Sequence, residues 1–181
     1  MKAIGFTGAS GSGKTTLIER LVTRFSAAGL RLAAIKHAHH GFDMDMPGKD
    51  SFRFRSAGAV QVLVASGRRW ALLCDETTPG AEPASALARQ LARLDPCDLV
   101  LIEGFRGQAG VPFIEVRRGG PGRETDGAAA VPAAAVTPGV VAIATDMPLG
   151  SRAPADIAVL DLNDVEAIAQ FIAVRTGVNL C

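Results

Sequence analysis

The sequence predicts an α/β fold in which a mostly parallel sheet is covered by helices on both faces and carries an inserted β-hairpin. Three observations carry that expectation. A short apolar run, Ala3–Thr7, passes through a glycine-rich turn into an amphipathic segment and then into a second apolar run, Leu32–Ile35. That is the pattern of a right-handed parallel crossover. Leu99–Ile102 is apolar at every position, as a strand buried on both faces would be. Val60–Ala65 and Trp70–Cys74 are separated by Ser66-Gly67-Arg68-Arg69, a hairpin signal.

The remaining elements follow in order. Lys14 to Ala28 places Leu17, Ile18, Leu21, Val22 and Phe25 on one helical face, with Gly29 as the stop. Residues 36–58 are polar, carry charges of both signs and lack a clean period, so they read as a long loop of the kind that serves a ligand. Residues 84–94 align Leu87, Leu91 and Leu94 as a helix, and Pro112–Val116 opens a further strand. Residues 119–138 are rich in Gly, Pro and Ala and read as a flexible connection. Val140–Ala144 and Ile157–Leu160 are strands. Val165–Val174 is a closing helix capped by Asn163 or Asp164. All 181 residues are expected to form one domain.

Composition narrows the function. A formal net charge of +1 offers no basic field for nucleic acid, and 8 Phe with 1 Trp and no Tyr give few platforms for stacked bases. Cys74, Cys97 and Cys181 form no C-x-x-C pair, which argues against a zinc ribbon or a disulfide framework. No run approaches the ~18 apolar residues that span a bilayer. A soluble, cytoplasmic protein is expected, with neither nucleic acid nor membrane as partner.

The chemistry begins at residues 8–15, Gly-Ala-Ser-Gly-Ser-Gly-Lys-Thr, which match G-x-x-x-x-G-K-[ST] between a strand and a helix. Glycines let the backbone curl so that its N–H groups converge on phosphate oxygens, and the helix adds the positive end of its dipole. The binding loop is therefore Gly8, Ala9, Ser10, Gly11, Ser12, Gly13, Lys14, Thr15 and Thr16. Lys14 is expected on the β and γ phosphates and the Thr15 hydroxyl on Mg²⁺. The fold class is thus a P-loop NTPase-like three-layer α/β fold. Such a site needs a carboxylate at the end of another apolar strand, and Glu103, directly after Leu99–Ile102, fits that place.

The polar stretch holds all three histidines, His37, His39 and His40, followed by Asp43, Asp45, Lys49, Asp50, Arg53 and Arg55. Ligands of open α/β sheets bind beyond the carboxyl ends of the strands, where this stretch emerges. His37, His39, Lys49, Arg53 and Arg55 suit a second, anionic ligand, and Asp45 is a candidate third member of the magnesium shell. Asp146, after the strand Val140–Ala144, is placed to accept from N1–H and the 2-amino group of guanine.

Together these residues resemble the molybdopterin-guanine dinucleotide biosynthesis protein B family. The likeness lies in the N-terminal phosphate loop, in Lys36-His37-Ala38-His39-His40, in Phe42-Asp43-Met44-Asp45-Met46-Pro47-Gly48-Lys49-Asp50-Ser51, in Arg53, Arg55 and Ala57-Gly58-Ala59, and in Glu103-Gly104-Phe105. It covers most of residues 1–118. Where that family has an Asp after the paired histidines this chain has Gly41, and the role would pass to Asp43. The resemblance implies a GTP-binding protein with slow, Mg²⁺-dependent GTPase activity. It implies a homodimer that assists the guanylyltransferase joining GMP to molybdopterin, with Lys36, Asp43 and Asp50 added to the second-ligand stretch. Two other functions fit the residues alone: a small-molecule kinase with Arg53 and Arg55 in a lid, and a metallochaperone-like GTPase using His37, His39 and His40.

Overall fold

The computed structural model describes residues 1–38, 41–75, 83–107, 110–119, 137–147 and 156–180. The chain divides into two compact units, Met1–His37 with Pro83–Cys181, and Ala38–Glu82. Among the described residues no helix is long and apolar enough to cross a membrane.

The larger unit contains β1 (Ala3–Thr7), α1 (Lys14–Ala27) and β2 (Leu32–Lys36). The smaller unit supplies α2 (Asp50–Ser56), β3 (Gln61–Ala65) and β4 (Trp70–Cys74). The larger unit resumes with α3 (Pro83–Ala92), β5 (Leu99–Glu103), β6 (Phe113–Arg117), β7 (Val140–Thr145), β8 (Ala158–Asp161) and α4 (Val165–Thr176). Its sheet has the order β2-β5-β1-β6-β7-β8, and every neighbouring pair runs parallel. The sequence expectation of an α/β fold with a mostly parallel sheet and a separate hairpin is met.

Burial on both faces explains the apolar runs. Leu99 and Leu101 pack with Ile4, Phe6, Ile114 and Val116 against Leu17, Leu21 and Phe25 of α1 and Ile168 and Ile172 of α4. Val100 and Ile102 face the other way, with Phe113, Val140 and Leu87 of α3. Successive residues of one strand point to opposite faces, so a strand covered twice carries no polar position until its end. That end is where the candidate residues Lys36 and Glu103 sit: β2 runs on to Lys36, β5 to Glu103 and β7 to Thr145 just before Asp146, one residue beyond each apolar run.

Capping closes α4. The Asp164 carboxylate accepts from the Ala167 N–H at 2.9 Å, and Gly177 takes a left-handed conformation at the far end. α1 and α4 are tied together by Arg24, whose Nε and Nη2 donate to Glu166 at 2.6 and 3.0 Å. The Arg24 hydrogen bond, helped by one from Gln170, lowers the Glu166 carboxyl from 4.5 to about 2. A depressed carboxyl contributes stability that is present above pH 4.5 and is lost as pH falls toward 2. Glu166→Gln should therefore melt somewhat below the native protein at pH 6 to 7, roughly as expected of a solvent-exposed pair. That gap should close progressively below about pH 4.5, and thermal melts across that range check it.

The polar stretch 36–58 is not wholly a loop, as its sequence suggested: Asp50–Ser56 is a helix. None of its residues is buried, so it displays no apolar period. Local charge supports it instead. Asp50 lies in the first turn and Arg53 and Arg55 in the last, complementing the helix dipole, and Asp50 pairs with Arg53 at 3.7 Å. β3 and β4 pair antiparallel from Gln61–Cys74 to Ala65–Trp70.

Candidate functional site

Parallel pairing brings three strand ends into line. Phe6 of β1 and Lys36 of β2 both stand opposite Glu103 of β5. The glycine-rich loop leaves β1 at this edge. Gly8, Gly11 and Gly13 have φ of 140°, 68° and 94°, which L side chains rarely adopt. At Gly8 sterics add a second constraint, since a Cβ there would lie 2.3 Å from the Val116 carbonyl oxygen. The loop closes through the Ser12 N–H, which donates to the Ala9 carbonyl at 3.2 Å. The Ser12 hydroxyl is buried with no hydrogen-bond partner among the described residues.

Lys14 folds back over the loop and donates to the carbonyls of Gly8 at 3.0 Å and Ala9 at 2.7 Å. The ammonium is thus held against the carbonyls of the glycine-rich loop. Thr15, in the first turn of α1, donates from its hydroxyl to Glu103 Oε2 at 2.9 Å. Glu103 Oε1 lies 3.7 Å from Lys36 Nζ, and its side chain is only 17% exposed. A hydroxyl and a carboxylate oxygen at this spacing form a hard-oxygen donor pair, which fits Mg²⁺ completed by phosphate and water. Thr16, also in the first turn of α1, is exposed.

The turn after Glu103 is strained. Gly104 has φ of 94°, and Phe105, a side-chain-bearing residue, has φ of 55°. The Phe105 ring lies 4.5 Å from that of His37, whose backbone N–H donates to the Glu103 carbonyl at 2.8 Å. Strain of this kind concentrates at ligand sites. Lys36 and His37 therefore belong to the edge that carries Glu103.

The rest of the second-ligand stretch lies in the smaller unit, where its charges are largely paired. Arg55 is the hub. It donates to Asp43 at 2.9 Å, and it lies 3.5 Å from Asp45 and 3.8 Å from Asp75. The Arg55 hydrogen bond holds the Asp43 carboxyl below its usual range. Asp45 also accepts from the Ser51 hydroxyl at 2.8 Å and the Met46 N–H at 3.0 Å, and its side chain is 5% exposed. Lys49 and Asp50 line a cavity of about 440 Å³ with Ser51, Phe54 and residues 62–65. Arg53 points away to solvent beside Asp50. His39 and His40 lie outside the described residues, and so does the histidine cluster as a whole. Among the described residues no group of three or more His, Cys, Asp or Glu side chains is arranged to hold a metal.

At the other flank of β1, Asp146 follows β7. Its Oδ1 accepts from the Gly119 N–H at 2.8 Å, and its Oδ2 lies 3.6 Å from Arg118 Nε. Arg118 was not singled out by the sequence, although Arg117-Arg118 closes a strand that turned out to neighbour β1. Its neighbour Arg117 is fully engaged with Glu115, at 3.0 Å twice. Most of the connection read as flexible, residues 120–136, lies outside the described residues. Its ends are tied down, by Gly119 to Asp146 and by Arg106, which donates to the Thr137 hydroxyl at 2.7 Å.

Comparison with known proteins agrees with this geometry. The family model for molybdopterin guanine dinucleotide synthesis protein B matches residues 3–146. A molybdopterin-guanine dinucleotide biosynthesis adapter protein of Escherichia coli (strain K12) is 41% identical over 171 residues, covering 93% of this chain and 90% of that protein. The protein of the same description in Haemophilus influenzae is 39% identical over 169 residues, covering 93% and 86%. In three dimensions the crystal structure of Bacillus subtilis MobB superposes with a TM-score of 0.71 over 99% of this chain and 100% of that one, at 23% identity.

Proposed function

Because this chain belongs to the molybdopterin guanine dinucleotide synthesis protein B family, we propose that it is a GTP-binding adapter in the maturation of the guanine dinucleotide form of the molybdenum cofactor. The observation that carries the proposal is the constellation at the β1–β5 edge: a curled loop from Gly8 to Thr16, Lys14 above it, and Thr15 donating to Glu103 at 2.9 Å. That arrangement binds a nucleoside triphosphate through backbone N–H groups and one cation. Thr15 and Glu103 would hold Mg²⁺, which when bound offsets the charge of the terminal phosphates. Asp45 is a weaker third candidate, since recruiting it requires giving up its bonds to Ser51 and Arg55. Asp146 is proposed to select guanine.

The adapter's partner is proposed to be the guanylyltransferase that joins GMP to molybdopterin, with slow GTP hydrolysis as an accompanying activity. Lys36, His37, Lys49 and Arg53 remain candidates for anionic ligand contacts, with His39 beside them in sequence. Arg55 and Asp43 are more simply read as the scaffold of the smaller unit. A homodimer is supported by the hairpin of that unit. Leu63, Val64, Trp70 and Leu72 are exposed there, and exposed apolar side chains grouped in this way mark protein–protein contact surfaces.

The test is reconstitution. Guanylyltransferase, molybdopterin, Mg²⁺ and nucleotide are combined with and without the full chain, and dinucleotide cofactor is quantified. Addition of the chain is expected to raise the yield with GTP, and the chain itself should bind GTP more tightly than ATP, a preference lost in Asp146→Asn. An unchanged yield would sink the adapter role, and equal native affinities would sink the guanine assignment.

A further inference from the structure

Arg118 occupies a position that its pairing with Asp146 does not explain. Its guanidinium lies against the phosphate loop: a Cβ on Gly13 would meet Arg118 Cζ at 3.4 Å, Nη2 at 3.5 Å and Nε at 3.6 Å. Gly13 is the N-cap of α1, so a full positive charge sits over the positive end of a helix. Without an anion there, that placement is electrostatically unfavourable. Asp146 offsets it, but at a Nε–Oδ2 separation of 3.6 Å, which is longer than a hydrogen bond. The side chain is 42% exposed, so it has room to move toward a ligand.

The sheet order says which part of a ligand it would meet. β1 lies between β5 and β6. Glu103 and Thr15, the magnesium pair, are on the β5 flank. Arg118 directly follows β6 and stands beside Asp146, which follows β7, since Arg117 pairs with Thr145 of β7. The metal end and the base-reading end of the site are therefore on opposite sides of the loop, and Arg118 is on the base side. A nucleotide spanning the two would carry the phosphate nearest its nucleoside across the loop between them.

We infer that Arg118 is a nucleotide-binding residue that clamps the α-phosphate, held ready by Asp146. A base that takes up Asp146 as acceptor withdraws that carboxylate from the guanidinium, which then turns its N–H fork onto phosphate oxygen. Base recognition and phosphate binding are thereby coupled through one side chain. This rests on the reading of residues 8–16 as a nucleotide site.

The experiment is calorimetric titration of the full chain and of Arg118→Ala and Arg118→Lys with GTP, GDP and GMP, beside melting of each protein without ligand. Arg118→Ala should lose about tenfold in affinity for all three nucleotides alike, the scale of a charge-assisted contact. Arg118→Lys should recover part of the loss, keeping the charge without the fork. Melting without ligand should change little. A loss confined to GTP would put Arg118 on the terminal phosphate and overturn the inference, as would unchanged affinity for all three. If Arg118→Ala does not fold, full native affinity in Arg118→Lys overturns the fork-specific contact. A native chain that binds none of the three nucleotides overturns the nucleotide reading itself.

Discussion

Lys14→Ala is expected to reduce nucleotide triphosphate affinity by at least about a hundredfold while leaving the fold in place. The Lys14 ammonium is held by two carbonyls of its own loop, at 3.0 and 2.7 Å. Both are neutral acceptors within the loop, and in the proposed nucleotide complex both would be exchanged for phosphate oxygens. A charge-assisted hydrogen bond contributes about 1.5–3 kcal/mol, and a lysine between two phosphates makes more than one. Removing it costs about 3 kcal/mol or more, which is a factor beyond about a hundred in binding. The core is untouched, because the helix is anchored through Leu17, Ile18, Leu21 and Phe25 on its opposite face. Titration with GTP and a melting curve separate the two outcomes. Native-like affinity in the variant contradicts the assignment of the loop. Loss of the melting transition would instead make Lys14 a structural residue.

The contrast between Lys14 and Arg118 shows what kind of information a sequence displays. Lys14 is legible as a candidate because its proposed role is local: loop, lysine and helix are contiguous, and the glycines at 8, 11 and 13 are required by positive φ. The apolar strands are legible for a similar reason, since burial on both faces leaves a continuous apolar run. Glu103 could be singled out because it ends such a run, and Asp146 because it follows another closely. Arg118 was not singled out, because its proposed role depends on β6 lying beside β1 and on β7 lying beside β6. Those adjacencies join segments far apart in sequence. Helix α2 escaped for a different reason. It has no buried residue, so the hydrophobic period that announces other helices is absent. Its signals were local ones of charge and punctuation: Pro47-Gly48 before it, Asp50 at its start and Gly58 after it, with φ of 106°. Arg55 was read as an anion ligand from composition. Sequence did not display that Asp43, Asp45 and Asp75 surround it, because Asp75 arrives from the far end of the hairpin.

Glu103→Gln separates metal binding from nucleotide binding, which Lys14→Ala does not. The glutamine is isosteric, and its carbonyl oxygen still accepts from the Thr15 hydroxyl, so the 2.9 Å contact survives. What disappears is the negative charge. Mg²⁺ prefers carboxylate and phosphate oxygens and gives up its water reluctantly, so an amide oxygen in this place binds it far less well. The Mg²⁺ concentration giving half-maximal GTP affinity or hydrolysis should rise by about tenfold or more, on the scale of losing one charged ligand contact. In excess chelator the variant and the native chain should bind GDP about equally, because the loop N–H groups and Lys14 are intact. A second consequence falls on Lys36, whose ammonium lies 3.7 Å from Glu103 Oε1. In the variant it loses that partner and becomes an additional cation near the terminal phosphate. Metal-free triphosphate binding should then be slightly stronger than native, the opposite direction from the metal-dependent effect. Titrations with and without Mg²⁺ on the same two proteins read both signs. A parallel shift of both curves would mean that Glu103 supports the loop without touching the metal.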